Sequence, residues 1–437
     1  MENPVKKEKR FVHSLTFKVI VIGVMTLLML IPNAMIQNLI LERQMRSEET
    51  IEKINSQWSH AQTLCAPLLC IPYETISEKQ KVQRLLYITP EHLDIKVRLY
   101  PERRHFGIYH TILYKSEITI LGNFSKTDME AFSALNLQWH KACLAVGLSD
   151  LRGVSNVDFS VQNKKYEMET SAHRFVLEKA LVVHLNDLSL LQNSFDFKCE
   201  LSLNGSSYIS FIPVGKTTQA DVSGEWSAPG FMGAFSPEHN ITKEDFHAQW
   251  NVLYFNRDIP ESWKDNEVSD YQLRNSSFGV NLIKQVDHYQ QNMRSSKYAL
   301  MFIALTFVVF FFVETLTKKK IHPFQYLLVG IAIILFYSLL LSISEQINFR
   351  IAYLIASSAT IGLITLYSHT IFKKLSQTFI LFFILCGLYL FLFVTLQLED
   401  LALLIGSSGL FLILAVVMYF SRKIGFYRQE ELPAEEK

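Results

Sequence analysis

The stretch VETLTKKKIHPF (residues 313–324) decides the fold, because a glutamate and three lysines end one long apolar run there and a His-Pro step precedes another. A helix needs about 20 mostly apolar residues to cross a bilayer core. Lys and Arg concentrate in the short cytoplasmic loops between such helices. The stretch therefore predicts a cytoplasmic turn between two membrane helices.

Apolar runs of membrane-spanning length occur on both sides of this turn. In the second half of the chain they occupy residues 298–317, 326–344, 351–372, 379–398 and 401–420. Another run, 17–41, lies near the start, and its uninterrupted apolar part, 19–31, also has the length of a signal-peptide core. Apolar spacing that continues beyond Pro32 favours an uncleaved anchor. The sequence therefore predicts a polytopic α-helical membrane protein with six transmembrane helices.

The charged residues between these runs fit one orientation. The segments predicted to be cytoplasmic contain Lys6, Lys7, Lys9, Arg10, Lys318, Lys319, Lys320, Lys373, Lys374, Arg422, Lys423 and Arg428. Since basic residues mark the cytoplasmic side, both termini (1–16 and 421–437) are predicted to be cytoplasmic. Residues 42–297, between the first and second helices, are then extracytoplasmic.

The insert at 42–297 has the length of one large domain or two smaller ones. Its pattern is mainly that of half-buried strands, with Leu93, Ile95, Val97 and Leu99 alternating with polar residues. A second alternating run ends at Asn204-Gly205, a pair typical of a hairpin turn. Residues 42–58 are rich in charged and amide side chains and are predicted to form a helical stalk. We therefore expect a large β-rich extracytoplasmic domain.

Four of the five cysteines, Cys65, Cys70, Cys143 and Cys199, lie in this insert. An oxidising compartment would permit disulfides there, and four cysteines allow three pairings. Cys65 and Cys70 flank Pro67 and could close a small loop. The alternative is that all four are small buried hydrophobic residues.

Motifs that carry chemistry are missing from the sequence. It contains no HExxH, GxSxG or Rossmann fingerprint, and VGKTT at 214–218 lacks the earlier Walker A glycine because Ser210 stands there. No cysteine or histidine spacing matches a zinc site. We therefore predict no catalytic, cofactor-binding or metal-binding residues, and no cofactor. A net charge of +1 gives no electrostatic reason to expect nucleic acid binding.

Two polar positions allow a functional and a structural interpretation. Glu314 is an intramembrane proton or ion site, or a helix-end carboxylate paired with Lys318 one turn away. Asp150 and Arg152, in SDLRGV (149–154), form a polar site or a turn braced by an ion pair. The structural interpretation is favoured at both positions.

The segment KYALMFIALTFVVFFFVETLTKKKIHPFQYLLVGIAIILFYSLLLSISE (297–345) resembles the most characteristic stretch of the bacterial CreD family of inner-membrane proteins. Five further segments follow in the family's order: LLMLIP (27–32), APLLCIPY (66–73), FGIYH (106–110), SDLRGV (149–154) and FHAQW (246–250). The resemblance implies one anchor, a large periplasmic domain and a helical block. It also implies a role in cell-envelope integrity and the envelope-stress response, and brings no catalytic residues.

Three classes of function follow from topology and resemblance. The first is a non-enzymatic protein whose periplasmic domain binds or senses envelope material or a membrane-proximal partner. The second is a transporter or channel for an envelope component, and the third a membrane enzyme acting on wall or lipid precursors. The first is preferred, with the lipid bilayer and envelope proteins or precursors as partners.

Overall fold

In the computed structural model, the chain divides into two compact units. We call Ser47–Gln285 the β unit, and Met1–Arg46 with Val286–Lys437 the helical unit. The residues that the structure describes are 15–77, 80–126, 132, 135–171, 177, 179–185, 187, 190–265, 267–282, 288–317, 321–397 and 402–422.

The helices agree with the apolar runs of the sequence. They are α1 (Leu15–Leu28), α2 (Leu30–Trp58), α3 (Asp270–Asn275), α4 (His288–Lys297), α5 (Ala299–Thr317), α6 (Pro323–Ser344), α7 (Phe349–Phe372), α8 (Leu375–Gln397) and α9 (Ala402–Ser421). Only α3 lies wholly in the β unit among these described helices.

Helices α1 and α2 form one 42-residue helical segment, Phe17–Trp58. The interruption at Met29 lies three residues before Pro32, whose ring nitrogen has no hydrogen to donate to the Leu28 carbonyl. The Met29 and Asn33 amides still donate to the Met25 and Met29 carbonyls, at 3.1 and 3.2 Å. The predicted stalk is therefore a direct continuation of the first apolar helix.

Four described helical segments are long and apolar enough to cross a membrane: Phe17–Trp58, Pro323–Ser344, Phe349–Phe372 and Leu375–Gln397. A fifth is obtained if α4 and α5, bent by 45° at Tyr298, act together. The short polar helix α4 was not predicted. Helix α9 coincides with the last predicted span. The structure thus supports several membrane helices, and a total of six remains a prediction.

The helical unit has an aromatic core. Phe302, Phe336, Tyr353 and Tyr389 are buried, and the Tyr353 hydroxyl donates to the Tyr389 carbonyl at 2.7 Å. Its surface exposes many large apolar side chains, including Leu366, Phe383 and Leu390. An apolar exterior of this kind is suited to lipid and not to water.

The β unit is built from two sheets. Its strands are β1 (Gln62–Ser77), β2 (Gln80–Ile88), β3 (His92–Phe106), β4 (Tyr109–Phe124), β5 (Cys143–Leu148), β6 (Val154–Val161), β7 (Lys164–Tyr166), β8 (Glu169–Thr170), β9 (Lys179–His184), β10 (Phe195–Ser206), β11 (Tyr208–Ile212), β12 (Thr217–Gly224), β13 (Gly230–Gly233), β14 (Glu238–Ile241), β15 (Phe246–Leu253), β16 (Ser262–Lys264) and β17 (Phe278–Asn281). This confirms the β-rich character that the alternating sequence pattern predicts.

The first sheet has the order β13-β17-β11-β1-β5-β9-β8, with β2 paired to β1 and β16 paired to β2. The second sheet has the order β14-β15-β12-β3-β4-β10-β6-β7. Buried side chains of both sheets form one hydrophobic core. Trp250 of the second sheet, for example, stacks on Phe278 of the first with ring centroids 5.1 Å apart.

The predicted hairpin turn at Asn204-Gly205 is wrong. Both residues belong to β10, and the chain turns at Ser207, where φ is +65°, to enter the other sheet. A Cβ on Gly205 would lie 2.3 Å from the Tyr114 hydroxyl oxygen. The glycine is therefore needed because an aromatic ring packs on the strand, and not because the backbone turns there.

Candidate functional site

The strand pairing of the first sheet brings SDLRGV to the end of the stalk. Leu64 of β1 lies opposite Leu148 of β5, and β1 follows α2 after a three-residue connection. Residues 149–153 therefore lie beside residues 59–63, and the Ser149 amide donates to the Thr63 carbonyl at 3.1 Å. This register assembles the polar group that we call the Asp150 cluster: Glu52, His60, Asp150 and Arg152.

Asp150 is the centre of the cluster and is only 4% exposed. Its Oδ1 accepts from the Arg152 amide at 3.1 Å and caps the 3-10 turn Leu151–Gly153. The Arg152 Nη2 lies 2.8 Å from Asp150 Oδ2. The expected turn braced by an ion pair is thus present, and further groups join it.

The Arg152 side chain also caps the C-terminal end of the stalk helix. Its Nη1 donates to the Ser56 carbonyl at 2.9 Å, in the last turn of α2. The carbonyl groups of the last helical turn have no partners within the helix, and cationic side chains there complement the helix dipole. One arginine therefore joins the buried carboxylate of the sheet to the end of α2.

His60 provides a second link to the stalk. Its Nε2 lies 2.8 Å from Glu52 Oε1 and its Nδ1 lies 2.9 Å from Asp150 Oδ2. The Arg152 Nη2 is 2.6 Å from the same Nδ1. A protonated Nδ1 donates to Asp150 Oδ2, whereas an unprotonated Nδ1 accepts from Arg152 Nη2 instead. Both imidazole nitrogens are therefore engaged.

The pKa of Asp150 reflects two opposing effects. Burial of the carboxylate by itself raises its pKa, but hydrogen bonds from the side chains of Arg152 and His60 and from their backbone amides lower it more. The net result is a pKa well below the ordinary value for aspartate. Asp150 is therefore an ionised anchor and not a general acid at neutral pH.

A buried amide supports the cluster from below. Gln62 is fully buried, and its Nε2 donates to Ser59 Oγ at 2.8 Å, to the Asp150 carbonyl at 2.9 Å and to the Asn204 carbonyl at 3.2 Å. Its Oε1 accepts from Ser149 Oγ at 3.1 Å. A buried polar network in which every group is paired rigidifies its surroundings.

The chemistry open to the Asp150 cluster is limited. An Asp–His pair can activate a nucleophile, but here the second imidazole nitrogen contacts Glu52. Across the described ranges, no group of three or more His, Cys, Asp or Glu residues could hold a metal ion. The arrangement fits a mechanical connection between stalk and sheet better than catalysis.

A second buried carboxylate lies in the helical unit, in the stretch 313–324. Glu314 is 3% exposed. It contacts Lys18 Nζ at 2.5 Å, accepts from the Tyr326 hydroxyl at 3.0 Å and accepts from the Ile321 amide at 3.0 Å. These residues form the Glu314 cluster, which ties α1, α5 and α6 together. The expected partner, Lys318, lies outside the described residues, and Lys18 of α1 is the cation that contacts the buried carboxylate.

Two open recesses lie on the second sheet of the β unit. One of about 560 Å³ is bordered by Asp94, Lys96, Asp221 and Glu238. A second, of about 470 Å³, lies at the end of β3 beside His92, Asn123 and Asp196. Both recesses are open to solvent.

All five cysteines are free thiols in the structure. A Cys65–Cys70 loop is excluded because both residues lie in the extended strand β1, roughly 17 Å apart at 3.4 Å per residue, whereas a disulfide needs about 6 Å. Cys70 instead lies opposite Cys143 of β5. Burial raises the pKa of the Cys70 thiol well above its usual value and that of Cys199 to about 12.

Sequence reasoning singled out Asp150, Arg152 and Glu314 but missed most of their partners. His60 and Lys18 lie 90 and 296 positions away from Asp150 and Glu314, respectively. His60 directly follows the predicted stalk, and that position was an available signal. Lys18 gave a weaker one, as a lone cation at the start of the first apolar run.

Comparison with known proteins places the chain in a family. The family model described as Inner membrane protein CreD matches residues 14–427. A curated relative from Escherichia coli (strain K12), named Inner membrane protein CreD, is 28% identical over 411 residues, which cover 92% of this chain and 91% of the relative. With its apolar helices, this match indicates a multi-pass location in the inner membrane. The chain is a member of the CreD family of inner membrane proteins.

Proposed function

We propose that this protein maintains cell-envelope integrity as part of an envelope-stress response, and that its β unit binds or senses envelope material or a partner on the periplasmic side. The observation that carries the proposal is the connection between the β unit and α2. The Asp150 cluster fixes the end of a stalk that directly continues the first apolar helix. An event at the β unit would therefore displace that helix.

The proposed orientation follows from charge. Basic residues concentrate at both chain ends and in the segments after the second and fourth predicted spans, as cytoplasmic segments do. The insert between the first two spans then lies in the periplasm. Its attachment to the membrane at both ends would keep it near the bilayer and favour membrane-proximal partners.

A binding role is supported by exposed aromatic residues at one end of the second sheet. Tyr254 and Phe255 follow β15 and are 52% and 68% exposed. Tyr271 is 75% exposed, and the neighbouring Gln272 donates to the Asp258 carbonyl at 2.8 Å. Aromatic side chains are enriched in interfaces because they bury much surface at low entropic cost.

In-cell photocrosslinking tests the binding role. The full-length protein is expressed in a strain that lacks the chromosomal gene, with a photoreactive residue at position 255. This residue is expected to capture a defined envelope protein or lipid-linked precursor. The matched control is Ile241, an exposed apolar residue on β14 (41% exposed), where that species should not be captured. Equal capture at both positions, or none at Phe255 in a folded protein, would contradict the proposal.

The mechanical part of the proposal has its own test. Arg152→Gln removes the contact to Ser56 and weakens the hold on Asp150, so it should reduce survival of the complemented deletion strain under a wall-active agent. Lys165→Gln is the control, because Lys165 pairs with Asp158 at 3.4 Å on the open surface. Surface pairs of this kind contribute about 0–1 kcal/mol. Full protection by an Arg152→Gln protein present at normal abundance would argue against coupling through this residue.

One observation favours transport as a second candidate. Glu314 is a buried carboxylate in a membrane helix, and such residues often mark ion or proton paths. Glu314→Gln keeps a side chain that can accept from Tyr326 and Ile321 but cannot change charge. Loss of envelope protection with a normally folded protein would support transport, and unchanged protection would support a structural carboxylate. Measured turnover of a wall or lipid precursor by the purified protein would instead indicate an enzyme.

A further inference from the structure

The hairpin formed by β3 and β4 has an unusual tip. The two strands pair as far as His105 opposite His110 and Phe106 opposite Tyr109. Gly107 begins the two-residue turn with φ at +60°, in the left-handed region that glycine adopts without strain. A glycine at the first central position is typical of a type II′ hairpin turn, which continues the strand twist. The tip is therefore a well-formed structural element.

This tip exposes apolar side chains where a water-facing hairpin usually carries polar ones. Phe106 is 66% exposed and Ile108 is 36% exposed, and Tyr109 beside them is half-buried. The turn residues of soluble hairpins are mostly Asn, Asp and Gly. An aromatic ring and a branched aliphatic chain at the end of a rigid projection have the chemistry of a membrane-interface anchor.

Contacts with the stalk set the direction in which the hairpin projects. Trp58 of α2 and Leu113 of β4 border the same recess. Asn55, three residues before Trp58 on α2, accepts through Oδ1 a hydrogen bond from Thr111 Oγ1 of β4 at 3.0 Å. The direction from Leu113 to the hairpin tip along β4 is therefore the same as the direction from Trp58 to Ser47 along α2. Ser47 is the residue at which the β unit begins. The apolar segment 17–41 precedes Ser47 in the chain. The tip projects toward the end of the β unit that follows this segment.

Two cationic side chains of β3, Arg103 and Arg104, lie near the tip, next to the carboxylate of Glu102. The Arg103 guanidinium lies over the Trp226 ring at 5.0 Å, and Lys115, opposite Tyr100, is farther from the tip. Arg104 lies on the same side of β3 as Phe106 because it is two residues away, about 7 Å along the strand. It contacts Glu102 at 3.0 Å, and both groups are exposed. This spacing would place a guanidinium at the level of lipid phosphates while the Phe106 ring reaches the acyl chains.

We propose that the hairpin tip, residues 104–110, inserts into the surface of a bilayer that carries anionic headgroups. This gives the β unit a contact with the membrane beyond its two covalent connections. The inference rests on the proposed placement of the β unit near the bilayer, but not on the identity of any envelope partner. The segment FGIYH (106–110), which takes no part in the proposed function, would then serve as a membrane contact.

Fluorescence quenching in vesicles tests the insertion. The full-length protein, in a Cys386→Ser background, is labelled with an environment-sensitive dye at Phe106→Cys and reconstituted in phosphatidylethanolamine and phosphatidylglycerol. Phe255→Cys is the matched control, since Phe255 is the same residue type and is equally exposed (68%). It follows the end of β15 that is aligned with the start of β3, whereas the tip lies at the other end of β3. The four cysteines of the β unit are buried and remain unlabelled in the folded protein.

The expected result is quenching of the Phe106→Cys dye by lipid-borne quenchers at a depth of about 5–10 Å, with protection from aqueous iodide. The Phe255→Cys dye should show the reverse. Iodide access at both positions without lipid quenching would overturn the proposal. Protection at Phe106→Cys that disappears as lipid is added in excess would also overturn it, because the tip would then contact a second copy of this chain.

The charge requirement is measured separately. Arg104→Gln should reduce lipid quenching at position 106 and make it independent of the phosphatidylglycerol content. If quenching in the Arg104→Gln variant depends on the phosphatidylglycerol content as strongly as it does in the parent protein, the role of Arg104 is contradicted. Crosslinking at Phe255 in cells does not require tip insertion. A failed quenching experiment with successful capture would therefore reject the anchor while leaving the proposed function standing.

Discussion

Asp150 Oδ2 lies 2.9 Å from His60 Nδ1, although 90 positions separate the two residues. The same oxygen also accepts from the His60 amide at 3.3 Å. His60 follows the stalk helix and Asp150 follows a central strand of the first sheet, so this contact joins a helix end to a sheet. It is the relationship on which the proposed transmission between the β unit and α2 depends.

Asp150→Asn should destabilise the β unit in a pH-dependent manner. Because the pKa of Asp150 is lower in the folded state than in the unfolded chain, its stabilisation is fully present above about pH 4 and is lost as pH falls through the folded pKa. At neutral pH we expect a loss of about 2–3 kcal/mol, or roughly 4–12 °C in melting temperature. The difference from the parent protein should shrink on acidification toward pH 3.

Intrinsic fluorescence measures this loss selectively, since all five tryptophans, from Trp58 to Trp263, belong to the β unit. Asp158→Asn is the control, because Asp158 is half exposed and pairs with Lys165 on the surface. A pH-independent difference between Asp150→Asn and the parent would show that the carboxylate charge is not the stabilising feature.

Gly153→Ala should disrupt the packing beneath the cluster. A Cβ at this position would lie 2.2 Å from the Asn204 carbonyl oxygen and 2.7 Å from Gln62 Nε2. Because backbone atoms must move to make room, we expect a loss of about 1–3 kcal/mol by tryptophan fluorescence melting. Gly230→Ala is the matched control, since its nearest neighbours lie at 3.6 Å. Equal stability of the two variants would be inconsistent with the close packing at Gly153.

Lys18→Gln should destabilise the helical unit, because it removes a cation that contacts the buried Glu314 carboxylate at 2.5 Å. Loss of one partner of a buried ion pair costs about 3 kcal/mol. Adding Glu314→Gln should recover part of that loss, since the buried charge disappears as well. Far-UV circular dichroism melting in detergent follows the helices. A double variant as unstable as the sum of the two single variants would exclude direct coupling.

The thiols of the β unit should resist alkylation in the folded protein. Cys65, Cys70, Cys143 and Cys199 are buried and therefore shielded from the reagent, and burial also raises the pKa of the Cys65, Cys70 and Cys199 thiols. A hydrogen bond with Cys70 lowers the pKa of the Cys143 thiol, so the resistance of Cys143 depends on its burial. Mass spectrometry should find these four unmodified before denaturation and modified after it. If two thiols still fail to react after denaturation without reductant, a disulfide has formed, and Cys70 with Cys143 is the pair that the strand register permits.

Membrane helices and alternating strands were predictable because both follow from local sequence. An apolar run such as 326–344 is long enough to cross a bilayer wherever it occurs, and β3 alternates because its residues face a core and solvent in turn. The same local logic failed at Gly205. A glycine required by the ring of Tyr114, 91 positions away, has the same local pattern as a turn glycine.

By itself, the sequence determined the apolar helices, the β-rich insert and the resemblance to the family, since period, length and motif order need no knowledge of contacts. Only the tertiary structure decided which charges meet. Asp150 contacts His60 because Leu64 pairs with Leu148. Glu314 contacts Lys18 because α1 packs against α5. Electrostatic partners depend on distance in space, which long-range strand register and helix packing set and local sequence does not encode.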